Sequence, residues 1–196
     1  IKMANGEWLN FMNAGDVFVN NDIVSKCVPY MLDSEYKIVY GNIIRIYDHY
    51  KERKFPIRKK KIDAVDFLIG NIDHQASFIK RALFDKYGLY DTSYRLGADH
   101  DFFFRVLGIY KEKCKYINLN MAFFMMDGKS TLFKEKYKEE KEAMYRKEFG
   151  DLYDYIRELS EYRASSLLQV LLGVRLLIKR TGFNAMIRKI LSFRLK

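Results

Sequence analysis

The sequence predicts an α/β fold with a helical appendage, and three observations predict it. Apolar runs of strand length alternate with segments of helical spacing from the start of the chain to about residue 150. With 196 residues, 49% of them hydrophobic and 16% aromatic, the chain can bury one sizeable core. After Tyr162 the composition changes, with eight basic residues from Arg163 to Lys196 and no acidic one. This divides the chain into a folded domain over 1–150 and a basic helical tail over 151–196.

The elements follow in order. Glu7 to Met12 reads as a buried strand emptying into the turn-prone Asn13-Ala14-Gly15-Asp16. Asp22 to Leu32 has helical spacing, with capping candidates at Asn20-Asn21-Asp22 and a Pro29 that shortens or kinks it. Lys37 to Tyr50 reads as a strand with Lys51 to Phe55 returning beside it, and Arg58 to Lys61 as an exposed basic connector. One or two helical turns are expected over Asp63 to Ile69, a strand over Ala76 to Lys80, and a helix over Arg81 to Tyr87 stopped by Gly88. Asp99 to Tyr110 carries the apolar face Phe102, Phe103, Val106 and Leu107 of a further helix. Two short strands, Tyr116 to Leu119 and Met121 to Met126, precede a charge-laced helix from Phe133 to Phe149.

A formal charge of +10 favours an anionic partner. Two cysteines far apart, Cys27 and Cys114, indicate neither a disulfide framework nor a zinc site. That cysteine usage makes a reducing cytoplasm the expected compartment, and no secretory signal is visible in Ile1 to Gly6. A chain that opens without Met and enters a strand within a few residues reads as part of a longer one.

Four short segments could carry chemistry. Asn13-Ala14-Gly15-Asp16 sets a carboxylate in a tight loop after a buried strand, where open α/β sheets bind ligands and where a cation bridging a diphosphate finds an oxygen ligand; the alternative is an ordinary turn. His74 and Gln75 could project from a strand edge toward a phosphate or sugar hydroxyl, or His74 could be a satisfied core histidine. Gly97-Ala98-Asp99-His100-Asp101 places two carboxylates at a helix start, which suits a base that accepts a hydroxyl proton, although Asp99 could equally be a helix cap. Asp127-Gly128-Lys129-Ser130 could bring amides, a lysine and a hydroxyl to a phosphate, or form a simple turn.

In this order the pieces resemble the family 2 glycosyltransferases of GT-A fold, a Rossmann-like mixed sheet flanked by helices, especially bacterial members that build surface polysaccharides. The resemblance rests on Ala4 to Asp16, His74 to Lys80, Phe84 to Asp91 and Ala98 to Phe102. It implies that the first strands and helices of the domain, which hold the donor base and ribose, come before Ile1. It also implies that Asp16 binds Mn2+ or Mg2+ and that Asp99 is the catalytic base. By the same resemblance Asn13, His74, Gln75, Gly97, Asp101 and Ser130 bind substrate. Two acidic positions of the family pattern are replaced here, one by Asn13 or Ala14 and one by Ala98.

The implied reaction moves a hexosyl or N-acetylhexosaminyl group with inversion from a nucleoside-diphosphate sugar to a saccharide or polyprenyl-diphosphate-linked acceptor. The aromatic neighbours Tyr94 and Phe102 to Phe104 are expected to desolvate Asp99 and raise its basicity. Leu167 to Ile178 holds nine large apolar residues but spans only about 18 Å as a helix, too short for a bilayer of roughly 30 Å. With its arginines and lysines the tail suits peripheral contact with an anionic inner leaflet, or a helix packed on the domain. The competing class is a non-catalytic basic module that binds a membrane surface or nucleic acid; no nucleic-acid motif is present, so nucleic acid is not the expected partner.

Overall fold

A computed structural model describes residues 1–126 and 132–163, except for the side chains of 159–163. The expected α/β class is what is observed. Six strands, β1 (Trp8–Leu9), β2 (Val17–Phe18), β3 (Ile38–Ile46), β4 (Lys51–Lys54), β5 (Ser77–Lys80) and β6 (Cys114–Met125), form one mixed sheet. Its order is β1-β5-β3-β6-β2, with β4 also on β3. The helices are α1 (Ile23–Met31), α2 (Asp66–Ile69), α3 (Ala82–Tyr87), α4 (Ala98–Phe103), α5 (Lys134–Phe149) and α6 (Leu152–Arg163). The chain divides into two compact units, the first covering Ile1–Met144 and the second beginning at Tyr145.

β3 is the central strand. Its first six residues are all buried, which explains why it reads as a near-continuous apolar run rather than an alternation. One of its edges is shared end to end: β5 pairs antiparallel with Ile38 to Tyr40 and β4 antiparallel with Ile43 to Ile46. The other edge takes β6 in parallel, and a parallel neighbour requires a long crossover, here supplied by everything from β4 to α4. The β3–β6 register shifts around Asn42. Gly41 sits at that shift because a Cβ there would lie 2.6 Å from both the Leu119 carbonyl oxygen and Met121 Sδ.

Beneath the sheet, Ile23 and Cys27 of α1 pack with Val39, Ile43, Phe78 and Met121. Burial pushes the Cys27 and Cys114 thiols up to about 11. A second apolar cluster stacks Phe102 of α4 on Phe84 of α3, with ring centroids 4.2 Å apart. The expected face Phe102, Phe103, Val106 and Leu107 is fully buried.

Several boundaries depart from expectation. The first strand is two residues long, because the Asn10 side chain turns inward to donate to the carbonyls of Gln75 and Ser77 at 3.1 and 2.9 Å. The two strands expected over 116–126 are one bulged strand, β6, held continuous by pairing along β3. Asp22 does precede α1, but its carboxylate pairs with Lys26 at 2.7 Å instead of capping the helix. α1 ends two residues after Pro29. The helix expected from Asp99 to Tyr110 is α-helical to Phe103 and continues as a π-turn over Phe104–Ile109. α3 ends at Gly88, whose φ of 84° only glycine adopts readily. Both the loop Asp127 to Ser130 and the basic tail after Arg163 lie outside the described residues.

Candidate active site

β1 and β3 run antiparallel to β5, so the end of β1 meets the start of β5, which pairs with Tyr40 in the first half of β3. Carboxyl ends of strands are where open α/β sheets take ligands, because the backbone there leaves the ladder and loops can converge.

The loop after β1 turns back on itself, with the Asp16 N–H donating to the Asn13 carbonyl at 3.1 Å and Gly15 at φ 91°. This buries Asp16 to 7% exposure. Its Oδ2 accepts from Gln75 Nε2 at 2.9 Å, and its Oδ1 from the Met125 N–H at 3.2 Å, near the end of β6. Both donors are neutral and each oxygen has a further lone pair, so Asp16 can still act as one oxygen ligand to a hard cation. Among the described residues no group of three or more His, Cys, Asp or Glu side chains could hold a metal ion. One carboxylate plus substrate phosphates is a common way of holding Mg2+, so the residues present fit that arrangement.

His74 and Gln75 do not project from a strand edge. They lie in a single 3-10 turn, His74–Ala76, directly before β5. The turn forms because Ser77 Oγ and the Ala76 N–H both donate to the Asp73 carbonyl, at 2.8 and 3.1 Å. It aims the two neighbouring side chains at different partners: Gln75 goes to Asp16, while His74 Nδ1 lies 2.8 Å from Asp99 Oδ2. His74 Nε2 is 3.1 Å from Asn13 Nδ2, which assigns the Nε2 as acceptor and the Nδ1–H as donor to Asp99 in the neutral ring.

Asp99 is the second residue of α4, and Gly97 occupies the cap position, so Asp99 is not the helix cap. Burial alone pushes its carboxyl up, but the hydrogen bond and charge of His74, with His100 adding, hold it below the usual carboxylate range. The expected net rise from aromatic desolvation is therefore not found. The Tyr94 phenol is itself pushed up by burial, with the charge of Asp101 adding, and Phe102 is stacked on Phe84. Burial likewise disfavours a charged His74, yet the bond to Asp99 and the charges of Asp99, Asp73 and Asp16 hold it above the usual imidazole value.

Asp101 goes elsewhere: Arg105 Nε donates to it at 2.7 Å, and the same guanidinium donates to the Tyr87 and Leu89 carbonyls at 2.6 and 3.0 Å. Gly97 and its two predecessors donate their N–H groups to the Glu140 carboxylate of α5. Ser130 lies outside the described residues.

Sequence reading missed four residues here. Asn10 latches the 3-10 turn to β1. Asn71 accepts from His100 Nδ1 at 2.9 Å, and that fully buried imidazole is pushed down to about 3 by burial, with Lys141 and Lys54 adding. Lys54 binds Asp73 at 2.6 Å. Lys141 is pushed down to about 8 by burial, with Lys54 adding and Asp99 opposing. Each lies far in sequence from the residues it serves, and nothing in the local pattern marks it.

The mixed sheet flanked by helices, with Asp16 in the loop after β1 and Asp99 at the start of α4, defines an α/β class of Rossmann-like fold. Within that class the chain is 32% identical over 105 residues to the "PGL/p-HBAD biosynthesis glycosyltransferase" of Mycobacterium tuberculosis (strain ATCC 25177 / H37Ra), and to the protein of the same name in Mycobacterium bovis (strain BCG / Pasteur 1173P2). Each match takes in 52% of this chain and 38% of the relative, so the chain spans well under half the length of the curated relatives it matches. No family model matches the chain. Among the described residues no helix is long and apolar enough to cross a membrane.

Proposed function

We propose that this chain is the acceptor-side part of an inverting glycosyltransferase of the family 2, GT-A class, acting in the synthesis of a bacterial surface polysaccharide or glycolipid. The observation that carries this reading is the meeting of the Asn13 to Asp16 loop with His74, Gln75 and Asp99 in one hydrogen-bonded cluster at the ends of the strands. The similarity to mycobacterial proteins named as glycosyltransferases supports it.

Asp99 is the base. Its carboxylate, held ionised by His74, accepts the proton of the acceptor hydroxyl as that oxygen bonds to the anomeric carbon and the bond from that carbon to the diphosphate oxygen breaks. Attack from the face opposite the leaving group inverts the anomeric centre. The proton on Asp99 then passes to solvent. His74 acts by orienting and charging the base, and Asn13 fixes the ring from its other nitrogen. Gln75 holds Asp16 in place for the donor diphosphate. Mn2+ or Mg2+ is the cation Asp16 would hold; when bound it supplies positive charge to the departing nucleoside diphosphate. Ser130 is the remaining substrate contact the resemblance assigns, whereas the Gly97 N–H and the Asp101 carboxylate are engaged by Glu140 and Arg105. The acceptor is a saccharide or a polyprenyl-diphosphate-linked saccharide, and the enzyme works in the cytoplasm, with its basic tail on the inner face of the membrane.

The test is sugar transfer from nucleotide-sugars in the presence of Mn2+ by the full-length protein, comparing the parent with Asp99→Asn. Loss of turnover by two or more orders of magnitude is expected for the variant. An equally active Asp99→Asn sinks the assignment of the base.

A further inference from the structure

The Glu140 carboxylate receives three successive backbone N–H groups: Arg95 donates to Oε1 at 3.0 Å, and Leu96 and Gly97 to Oε2 at 2.9 Å each. These amides lead directly into α4, whose second residue is Asp99. They belong to the residue at the cap position of α4 and the two before it, and α4 has no side-chain cap of its own. The ionised group that satisfies this segment comes from a different helix, more than forty residues later.

The contact is close as well as charged. A Cβ at Gly97 would lie 2.8 Å from the methyl end of the Met144 side chain and 3.6 Å from Glu140 Oε2, so the backbone at the start of α4 lies directly against α5. Tyr137, Glu140, Lys141 and Met144 recur at helical spacing and are each partly or fully buried. Tyr137 sets its ring edge against His100 at 6.4 Å, and its phenol and the Lys141 ammonium both feel the charge of Asp99. One face of α5 is therefore applied to the start of α4. Glu140 grips the backbone there through charge-assisted bonds whose planar geometry leaves that backbone little freedom.

From this geometry, and resting on the reading of Asp99 as the base, we propose that Glu140 is a positioning residue: it fixes the Arg95 to Gly97 backbone and so sets where the Asp99 carboxylate meets the acceptor hydroxyl. Glu140 takes no part in proton transfer. Without its second oxygen, two N–H groups would face an amide nitrogen that cannot accept, and the start of α4 would shift or fray. Small displacements of a base cost rate rather than donor affinity, because Asp16 and Gln75 stand on other segments.

The experiment uses the full-length protein and four forms: parent, Glu140→Gln, Glu140→Asp and Asp99→Asn. Donor KM, kcat and amide hydrogen exchange of the segment 93–101 are measured. For Glu140→Gln the expected result is a kcat at least tenfold lower with donor KM within twofold of the parent, and faster exchange confined to 93–101. Glu140→Asp, which keeps a carboxylate, is expected to recover part of kcat; if Glu140→Gln does not fold, the same KM and kcat split in Glu140→Asp carries the test. A folded Glu140 variant whose kcat stays within twofold of the parent, or whose loss is entirely in donor KM, overturns the proposal. Asp99→Asn with parental activity overturns the base assignment itself, and the role of Glu140 with it, whereas an inactive Asp99→Asn beside a fully active Glu140→Gln removes Glu140 alone.

Discussion

His74 Nδ1 stands 2.8 Å from Asp99 Oδ2, and this one contact decides the electrostatics at the start of α4. Burial by itself pushes the Asp99 carboxyl up; the imidazole reverses the sign and leaves it below the ordinary range. A side chain chosen by sequence as a substrate ligand is thus also the group that keeps the neighbouring acid charged.

Replacing His74 by phenylalanine keeps a ring in place and removes both nitrogens. Asp99 then retains the burial that raises its pKa and loses the partner that lowers it. The acid limb of the turnover profile of the full-length protein should move to higher pH. An unmoved limb in pH-rate measurements would show that His74 does not set the ionisation of the base.

His100 gives a stability prediction. It is fully buried and held at about 3, below its unfolded value of about 6.5. The unfolded chain therefore binds a proton that the folded chain refuses, so stability falls as pH drops from about 6.5 toward about 3. His100→Gln removes this term. The variant should be less stable than the parent at pH 7, yet lose about 2 kcal/mol less on going from pH 7 to pH 5, read from denaturant unfolding at both values.

At Asp16, substitution by leucine leaves Gln75 Nε2 and the Met125 N–H without their acceptor. One buried and one part-buried donor left unsatisfied cost about 2–6 kcal/mol together, so a drop of several degrees in Tm is expected, whatever the effect on catalysis. A Tm unchanged in Asp16→Leu would mean that the loop after β1 is not held as described.

Gly41→Ala probes the joint between β3 and β6. The added methyl meets backbone oxygen of Leu119 and the Met121 side chain at 2.6 Å. Overpacking of this kind costs about 1–3 kcal/mol, and calorimetry of the variant should show it; an alanine tolerated without loss would indicate that the register shift is soft.

Much of the scaffold was legible because it follows from local pattern. The helix at the end of the first unit, the strand pair β3–β4, the stop at Gly88 and the buried face of α4 each rest on periodicity or on the conformation only one residue adopts. Where a neighbour overrides the local pattern, the reading slipped. β1 is short because Asn10 spends its amide on carbonyls of another segment, and β6 runs unbroken because its ladder partner continues.

The site divides in the same way. The sequence by itself determined that Asp16 sits in a turn and Asp99 at a helix start, but it put His74 and Gln75 at a strand edge where the structure has a 3-10 turn. Only the tertiary structure decided that one 3-10 turn hands Gln75 to Asp16 and His74 to Asp99, and that Asp101 is taken by Arg105. It also decided that Glu140 binds the three backbone N–H groups leading into α4. The reason is physical: local conformation depends on a residue and its near neighbours, whereas the charge state and orientation of a side chain depend on groups brought together by the sheet, and those groups are distant in sequence.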